Sequence, residues 1–288
     1  MLPILFKIGP IPIHSYGLMI AIGFLTAIYL VQRDAVKAGL DPKVFADGAF
    51  WVLPLGIAGT RLLHIVMFPE GYSWGDPLGW IAVWRGGLVF QGGPPVAIVF
   101  IWFYLKKKNV SFWKASDIVV PYLAMAHGLG RVGCFLNGCC YGAPSDLPWA
   151  FPYRRVPWDI SLPATGSPAY LDHLRRFPDM TPMDHWSHAI HPTQLYGVVG
   201  LLMLCGILLY LRKHWNPFDG FLLPTYFVIY GIGRFVVEFF RGDHNPTHVL
   251  DLSDQQIFSI AFALGSVVLF AIMRRYLPRN PRPSDAIT

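Results

Sequence analysis

Seven stretches of this chain are apolar over a length that can cross a bilayer, and that pattern constrains the fold before any motif is read. A span needs roughly 20 mostly apolar residues. The stretches run over about 16–32, 45–68, 88–105, 117–137, 192–211, 221–240 and 255–277. Charged residues are 14% of the 288 positions, where a soluble domain carries about a quarter. The expected fold class is an all-α polytopic membrane protein with about seven transmembrane helices.

The basic residues order these helices. Arg33, Lys37 and Lys43 lie between the first two stretches; Lys106, Lys107, Lys108 and Lys114 between the third and fourth; Arg212 and Lys213 between the fifth and sixth; Arg274, Arg275, Arg279 and Arg282 in the tail. Such an excess in alternate connections reads as cytoplasmic. The N-terminus is then outside and the C-terminus cytoplasmic, which requires an odd number of spans. The net charge of +6 therefore reports orientation, and no nucleic-acid partner is expected. The first fifteen residues lack a long apolar core, so no cleavable leader is expected.

The predicted organisation is helices 1–4 over 1–138, a small extracytoplasmic head over 139–191, helices 5–7 over 192–277 and a disordered cytoplasmic tail over 278–288. The head is rich in Pro, Trp, His and Arg and is too long for a turn. Gly92–Gly93 followed by Pro94–Pro95 predicts a break or kink in the third span, tolerated only where it faces protein or a cavity. No internal repeat is visible, which argues against a transporter built from duplicated halves.

Several arginines fall where hydrocarbon should be. Arg61, Arg131 and Arg234 lie within predicted spans, and Arg85 and Arg241 at span ends. An arginine at a span centre costs about 2.5–3.5 kcal/mol on insertion scales and signals function. Glu238 is the acid inside these spans, with Asp47 and Asp117 near ends. The missing negative charge points to an anionic ligand, and phosphate suits the guanidinium fork. Tyr230, Arg234, Glu238 and Arg241 are spaced to share one helical face, as are His127 and Arg131. Asn137 is a further donor near the end of the fourth span. Cys134, Cys139 and Cys140 are not expected to bind a metal, because adjacent cysteines fit a tetrahedral site poorly; a vicinal or loop disulfide is compatible with the spacing. No cofactor is expected.

The blocks HSYG (14–17), GTRLLH (59–64), WRGGLVFQGG (84–93), GRVGCFLNG (130–138), HPTQLY (191–196) and YGIGRFVVEFFR (230–241) together resemble the prolipoprotein diacylglyceryl transferase family. The resemblance covers nearly the whole chain. It implies an enzyme of the bacterial inner membrane that moves the diacylglyceryl group of phosphatidylglycerol to the lipobox cysteine of a preprolipoprotein signal peptide. A thioether forms and glycerol phosphate leaves; membrane lipids surround the enzyme.

By matching position, the resemblance implies that Arg131 holds the lipid phosphate. Arg234, with Glu238 and Arg241, would stabilise the departing phosphate, and Tyr16 and Asn137 would line the head-group pocket. His14, Arg61, Gln91, His191 and Tyr230 complete the candidate substrate-binding set. Four positions depart from the family pattern. Gln91 stands where a histidine base is usual, Gly197 where a glutamate is usual, and Cys134 and Cys139 where the usual N-x-x-N-G-E motif begins in asparagine and closes in glutamate. His127 or His14 is then a candidate base; alternatively bound phosphate and Arg234 make one unnecessary, or the leaving phosphate accepts the proton. Two other readings stay open: a non-catalytic paralogue that binds anionic lipid or signal peptides, and an anion transporter.

Overall fold

A computed structural model describes residues 3–8, 11–73, 75–83, 86–157, 167–243 and 252–279. Arg85 and the end of the tail, including Arg282, lie outside the described residues. The elements in chain order are β1 (Ile4–Ile8), β2 (Ile11–His14), α1 (Ser15–Lys37), α2 (Pro42–Met67), α3 (Pro77–Ile81), α4 (Gly93–Lys107), α5 (Phe112–Asn137), β3 (Phe151–Arg154), α6 (Pro168–Arg176), β4 (Trp186–Ile190), α7 (Thr193–His214), α8 (Leu222–Glu238) and α9 (Asp254–Tyr276). They divide into two units, residues 1–27 with 119–288, and residues 28–118.

Within the smaller unit, α2 starts where the Asp41 side chain accepts from the Lys43 N–H at 2.9 Å, with Pro42 in the first turn. The expected kink of the third span is instead a helix start. A 3-10 turn, Phe90–Gly92, leads into α4, and Pro94 and Pro95 sit in its first turn, where a missing N–H leaves no carbonyl unpaired. Gly59 of α2 lies under this turn. A Cβ there would come within 2.6 Å of the Gly92 carbonyl oxygen, so only glycine allows the approach.

The larger unit holds α5 from Val119 onward, with α7, α8 and α9. Leu201, Leu204, Cys205 and Leu208 form a buried stripe along α7 at helical spacing. α8 packs closely on α9, where a Cβ at Gly231 would stand 3.0 Å from the Ser259 carbonyl oxygen. α9 opens with a capping box: the Ser253 N–H donates to the Gln256 side chain at 2.9 Å, and the Gln256 N–H to the Ser253 hydroxyl at 3.2 Å.

Helices α1, α2, α5, α7 and α9 are long and apolar enough to cross a membrane. Large apolar side chains on them face outward, among them Leu25, Phe50, Val66, Met203, Phe262 and Leu264, each more than half exposed. Helices with apolar outer faces are what hydrocarbon requires, and the chain is an all-α polytopic membrane protein. All seven apolar stretches contain a helix, but α4 has 15 residues and α8 has 17. At about 1.5 Å per residue these reach only about 22 and 25 Å. Prolines and glycines open α4 late, and α8 stops at Glu238.

The 139–191 segment contains strands that hydropathy does not signal. β3 and β4 pair antiparallel, with Phe151 opposite Ile190 and Arg154 opposite Trp186. Tyr141, Tyr153, Ala169 and Ile190 form its core, with Phe135 of α5 packed against them. A second antiparallel pair, β1–β2, precedes α1.

Candidate active site

A cavity of about 270 Å³ lies in the larger unit among α5, α7 and α8. Three guanidinium-bearing residues line it: Arg131 of α5, Arg234 of α8, and Arg241 just beyond α8. Leu204, Ile207, Ile229 and Val237 give it an apolar wall. Cationic groups on one side and aliphatic surface on another suit an amphiphile with an anionic head.

The three arginines differ in what already holds them. Arg234 is paired with Glu238 one turn on. The other carboxylate oxygen of Glu238 accepts from the Ser253 hydroxyl at 2.8 Å. The cap of α9 thereby fixes the acid that fixes Arg234. Ser253 has one O–H to give and lone pairs to spare, so it serves Glu238 and the Gln256 N–H together. Arg241 is not the third member of a helical face, because α8 ends before it. It forks onto Asp243, with Nε–Oδ1 at 2.6 Å and Nη2–Oδ2 at 2.7 Å.

Arg131 is different. Among the described residues it makes no ion pair and no hydrogen bond. Its stem rests against Gly197, where a Cβ would stand 3.5 Å from Arg131 Cγ. Among the described residues Glu238 pairs with Arg234 and Asp243 with Arg241, and Arg131 is the arginine of the cavity left without a carboxylate.

Backbone pairing knits the rim together. Gly142 donates to the His191 carbonyl at 3.1 Å, Ala143 to Phe240 at 2.9 Å, and Gly242 to Tyr141 at 3.2 Å. The ends of α5 and α8 and the start of α7 are thus joined at one level. Thr193 and Gln194, at the start of α7, donate to the carbonyls of Cys140 at 2.9 Å and Cys139 at 2.8 Å. Gln194 also donates to the Tyr153 phenol at 2.9 Å, and burial pushes that phenol above its ordinary range. Tyr196 lines the cavity, and its hydroxyl lies 3.2 Å from His191 Nδ1 and accepts from Trp149 Nε1 at 2.8 Å.

The remaining sequence candidates scatter. Tyr230 lines the cavity, and its ring lies 5.4 Å from that of His127. His127 is not among the lining residues. Tyr16 is the second residue of α1, where a Cβ on Gly133 would lie 3.1 Å from its Cα. His14 closes β2 and is exposed, and Asn137 is the last residue of α5. Gln91 and Arg61 belong to the smaller unit. Gln91 is exposed in the turn before α4.

Arg61, 8% exposed, donates to four carbonyls: Trp80 at 3.2 Å, Gly86 at 2.7 Å, Gly87 at 2.8 Å and Gly79 at 2.5 Å. The Tyr72 ring lies 4.9 Å from it. Four of its five N–H donors are committed to backbone, so this arginine acts as a staple for the loop after α2.

Sequence reasoning missed Ser253, Asp243, Tyr196 and Cys140 as parts of this site. Asp243 follows Arg241 by two residues in FFRGD, and Tyr196 closes HPTQLY, so both lay in view. Nothing in the sequence linked Ser253 to Glu238.

The sequence model of the family "Prolipoprotein diacylglyceryl transferase" matches residues 3–272. The chain is similar to the phosphatidylglycerol–prolipoprotein diacylglyceryl transferase of Lysinibacillus sphaericus, 34% identical over 97% of this chain and 94% of the relative. It is also similar to those of Bordetella avium, at 32% over 97% of both chains, and Clostridium tetani, at 31% over 95% of this chain and 98% of the relative. With that match over nearly its full length, the chain belongs to the prolipoprotein diacylglyceryl transferase family.

Proposed function

We propose that this chain transfers the sn-1,2-diacylglyceryl group of phosphatidylglycerol to the lipobox cysteine thiol of a preprolipoprotein. The sulfur attacks the glyceryl carbon, a thioether forms, and the carbon–oxygen bond to the phosphate breaks, releasing glycerol phosphate. The observation that carries the reading is Arg131, a guanidinium with no counter-ion among the described residues, in a cavity with an aliphatic wall.

In this reading Arg131 binds the lipid phosphate, and the acyl chains follow Leu204, Ile207 and Ile229. Charge grows on the phosphate as the bond breaks, and Arg234, pre-aimed by Glu238, offsets it without reorganising. Arg241 completes the cationic side; Tyr230 and Tyr196 border the head group, with His191 holding the Tyr196 hydroxyl. Among the described residues the cavity lining contains neither histidine nor carboxylate, which favours transfer of the thiol proton to the leaving phosphate over His127 or His14 as base. Tyr16 and Asn137 we keep as outer contacts of the head group or peptide. Seven spans with the N-terminus outside, two of them short, and residence in the bacterial inner membrane complete the proposal. The 139–191 segment then stands on the outer face, where a secreted precursor presents its cysteine.

The test is to incubate purified protein with phosphatidylglycerol and a lipobox peptide and to weigh the peptide. The expected gain is one diacylglyceryl group on cysteine, and none on a peptide with serine there. A peptide that stays unmodified under conditions in which a relative modifies it would remove the transferase reading.

A further inference from the structure

Cys134, Cys139 and Cys140 bring their sulfur atoms within 4.8 Å of one another, although two of them are adjacent in sequence. The backbone explains how. α5 ends at Asn137; Gly138 takes φ +79° and Cys140 φ +58°, so the chain curls back over the last turn of the helix. The Gly138 and Cys139 N–H groups both donate to the Cys134 carbonyl, at 2.9 and 3.2 Å. From the other side, Gln194 and Thr193 hold the carbonyls of Cys139 and Cys140. The three thiols are free, converge, and sit on a turn fixed from two directions.

A metal ion with bonds of about 2.3 Å to each sulfur needs sulfur–sulfur separations of about 4 Å, within side-chain adjustment of what is present. The donor set is all sulfur, which selects soft cations over oxygen-seeking ones. Three thiolates around a divalent ion carry one net negative charge. Cys140 also lines the cavity of Arg131 and Arg241, whose cationic groups offset that charge.

We propose that Cys134, Cys139 and Cys140 form a site for one soft d10 metal ion, opening through Cys140 onto the arginine cavity. The adjacency that argued against a metal from sequence is overcome by the left-handed turn at Cys140.

The test uses the reduced, full-length protein in detergent, titrated with Cd2+ while the ultraviolet thiolate-to-cadmium charge-transfer absorbance is followed. The expected result is saturation at one equivalent. Cys134→Ser, Cys139→Ser and Cys140→Ser should each weaken binding at least tenfold, and Cys205→Ser should leave it unchanged. A measurement on unsubstituted protein guards against variants that fail to fold: one equivalent of Cd2+ should spare Cys139 and Cys140 from maleimide, read by peptide mass. No saturable band, a band indifferent to Cys140→Ser, or undiminished alkylation would overturn the site. So would reduced protein that takes up no cadmium yet forms a disulfide within the cluster in air. These readouts measure binding alone, so they stand apart from the transferase reading.

Discussion

Gly197 lies against the stem of Arg131, with room at ordinary contact distance for a first side-chain carbon 3.5 Å from Cγ. With no side chain there, the guanidinium has no carboxylate partner among the described residues. Gly197→Glu, which restores the residue usual in the family, should pair with and orient Arg131 and raise kcat/KM for phosphatidylglycerol at least about threefold, whereas Gly197→Ala should change it less than about twofold. Steady-state kinetics on both variants checks this; equal effects would mean that bulk, not charge, matters.

Ser253 caps α9 and donates to Glu238, which holds Arg234. Ser253→Ala should cost about 1 kcal/mol through the lost cap and also lower kcat. Glu238→Gln should lower kcat about a hundredfold, the scale of losing one oriented transition-state donor, with a smaller change in KM. Thermal unfolding beside kinetics separates the two contributions.

Arg61 serves four loop carbonyls, and a lysine cannot reproduce that fork. Arg61→Lys should destabilise the solubilised protein by about 2–3 kcal/mol, the scale of one lost hydrogen bond to a charged group, and expose residues 72–89 to proteolysis. An unchanged melting temperature and cleavage pattern would restore Arg61 to the list of ligand-binding candidates.

His173 of α6 is buried beside Tyr141, Phe177 and His188, with Asp172 and Arg176 near it. Burial, and then the neighbouring His188, lower its pKa to about 4. The unfolded imidazole titrates near 6.5, so the folded segment favours the neutral form. Its contribution to stability is complete above about pH 6.5 and is lost as pH falls toward 4. Hydrogen-exchange protection factors of residues 168–176, corrected for the intrinsic pH dependence of exchange, should fall over that window, and His173→Phe should flatten the response.

How much was legible in the sequence depended on period and charge. Runs of about 20 apolar residues gave every long helix, and Arg131, Arg234 and Glu238 stood out because hydrocarbon makes a charge conspicuous. Arg61 stood out for the same reason yet serves as a staple: its partners are backbone carbonyls, which leave no mark in side-chain identity. The Ser253–Glu238 contact joins α8 and α9 across residues that carry no periodic signal. The cysteine cluster depends on a left-handed non-glycine residue, Cys140, which no propensity anticipates. The strands of the 139–191 segment are four and five residues long, too short for alternation to declare them.

Adduct formation on a lipobox peptide reads out whether Arg131 holds the lipid phosphate in a working transferase. Rates for unsubstituted protein, Arg131→Lys and Arg131→Gln should be measured at limiting and saturating phosphatidylglycerol. Unsubstituted protein should form the diacylglyceryl adduct, Arg131→Gln should lower kcat/KM at least about a hundredfold, and Arg131→Lys should lower it less. An Arg131→Gln enzyme that modifies the peptide at the full rate would contradict this role of Arg131.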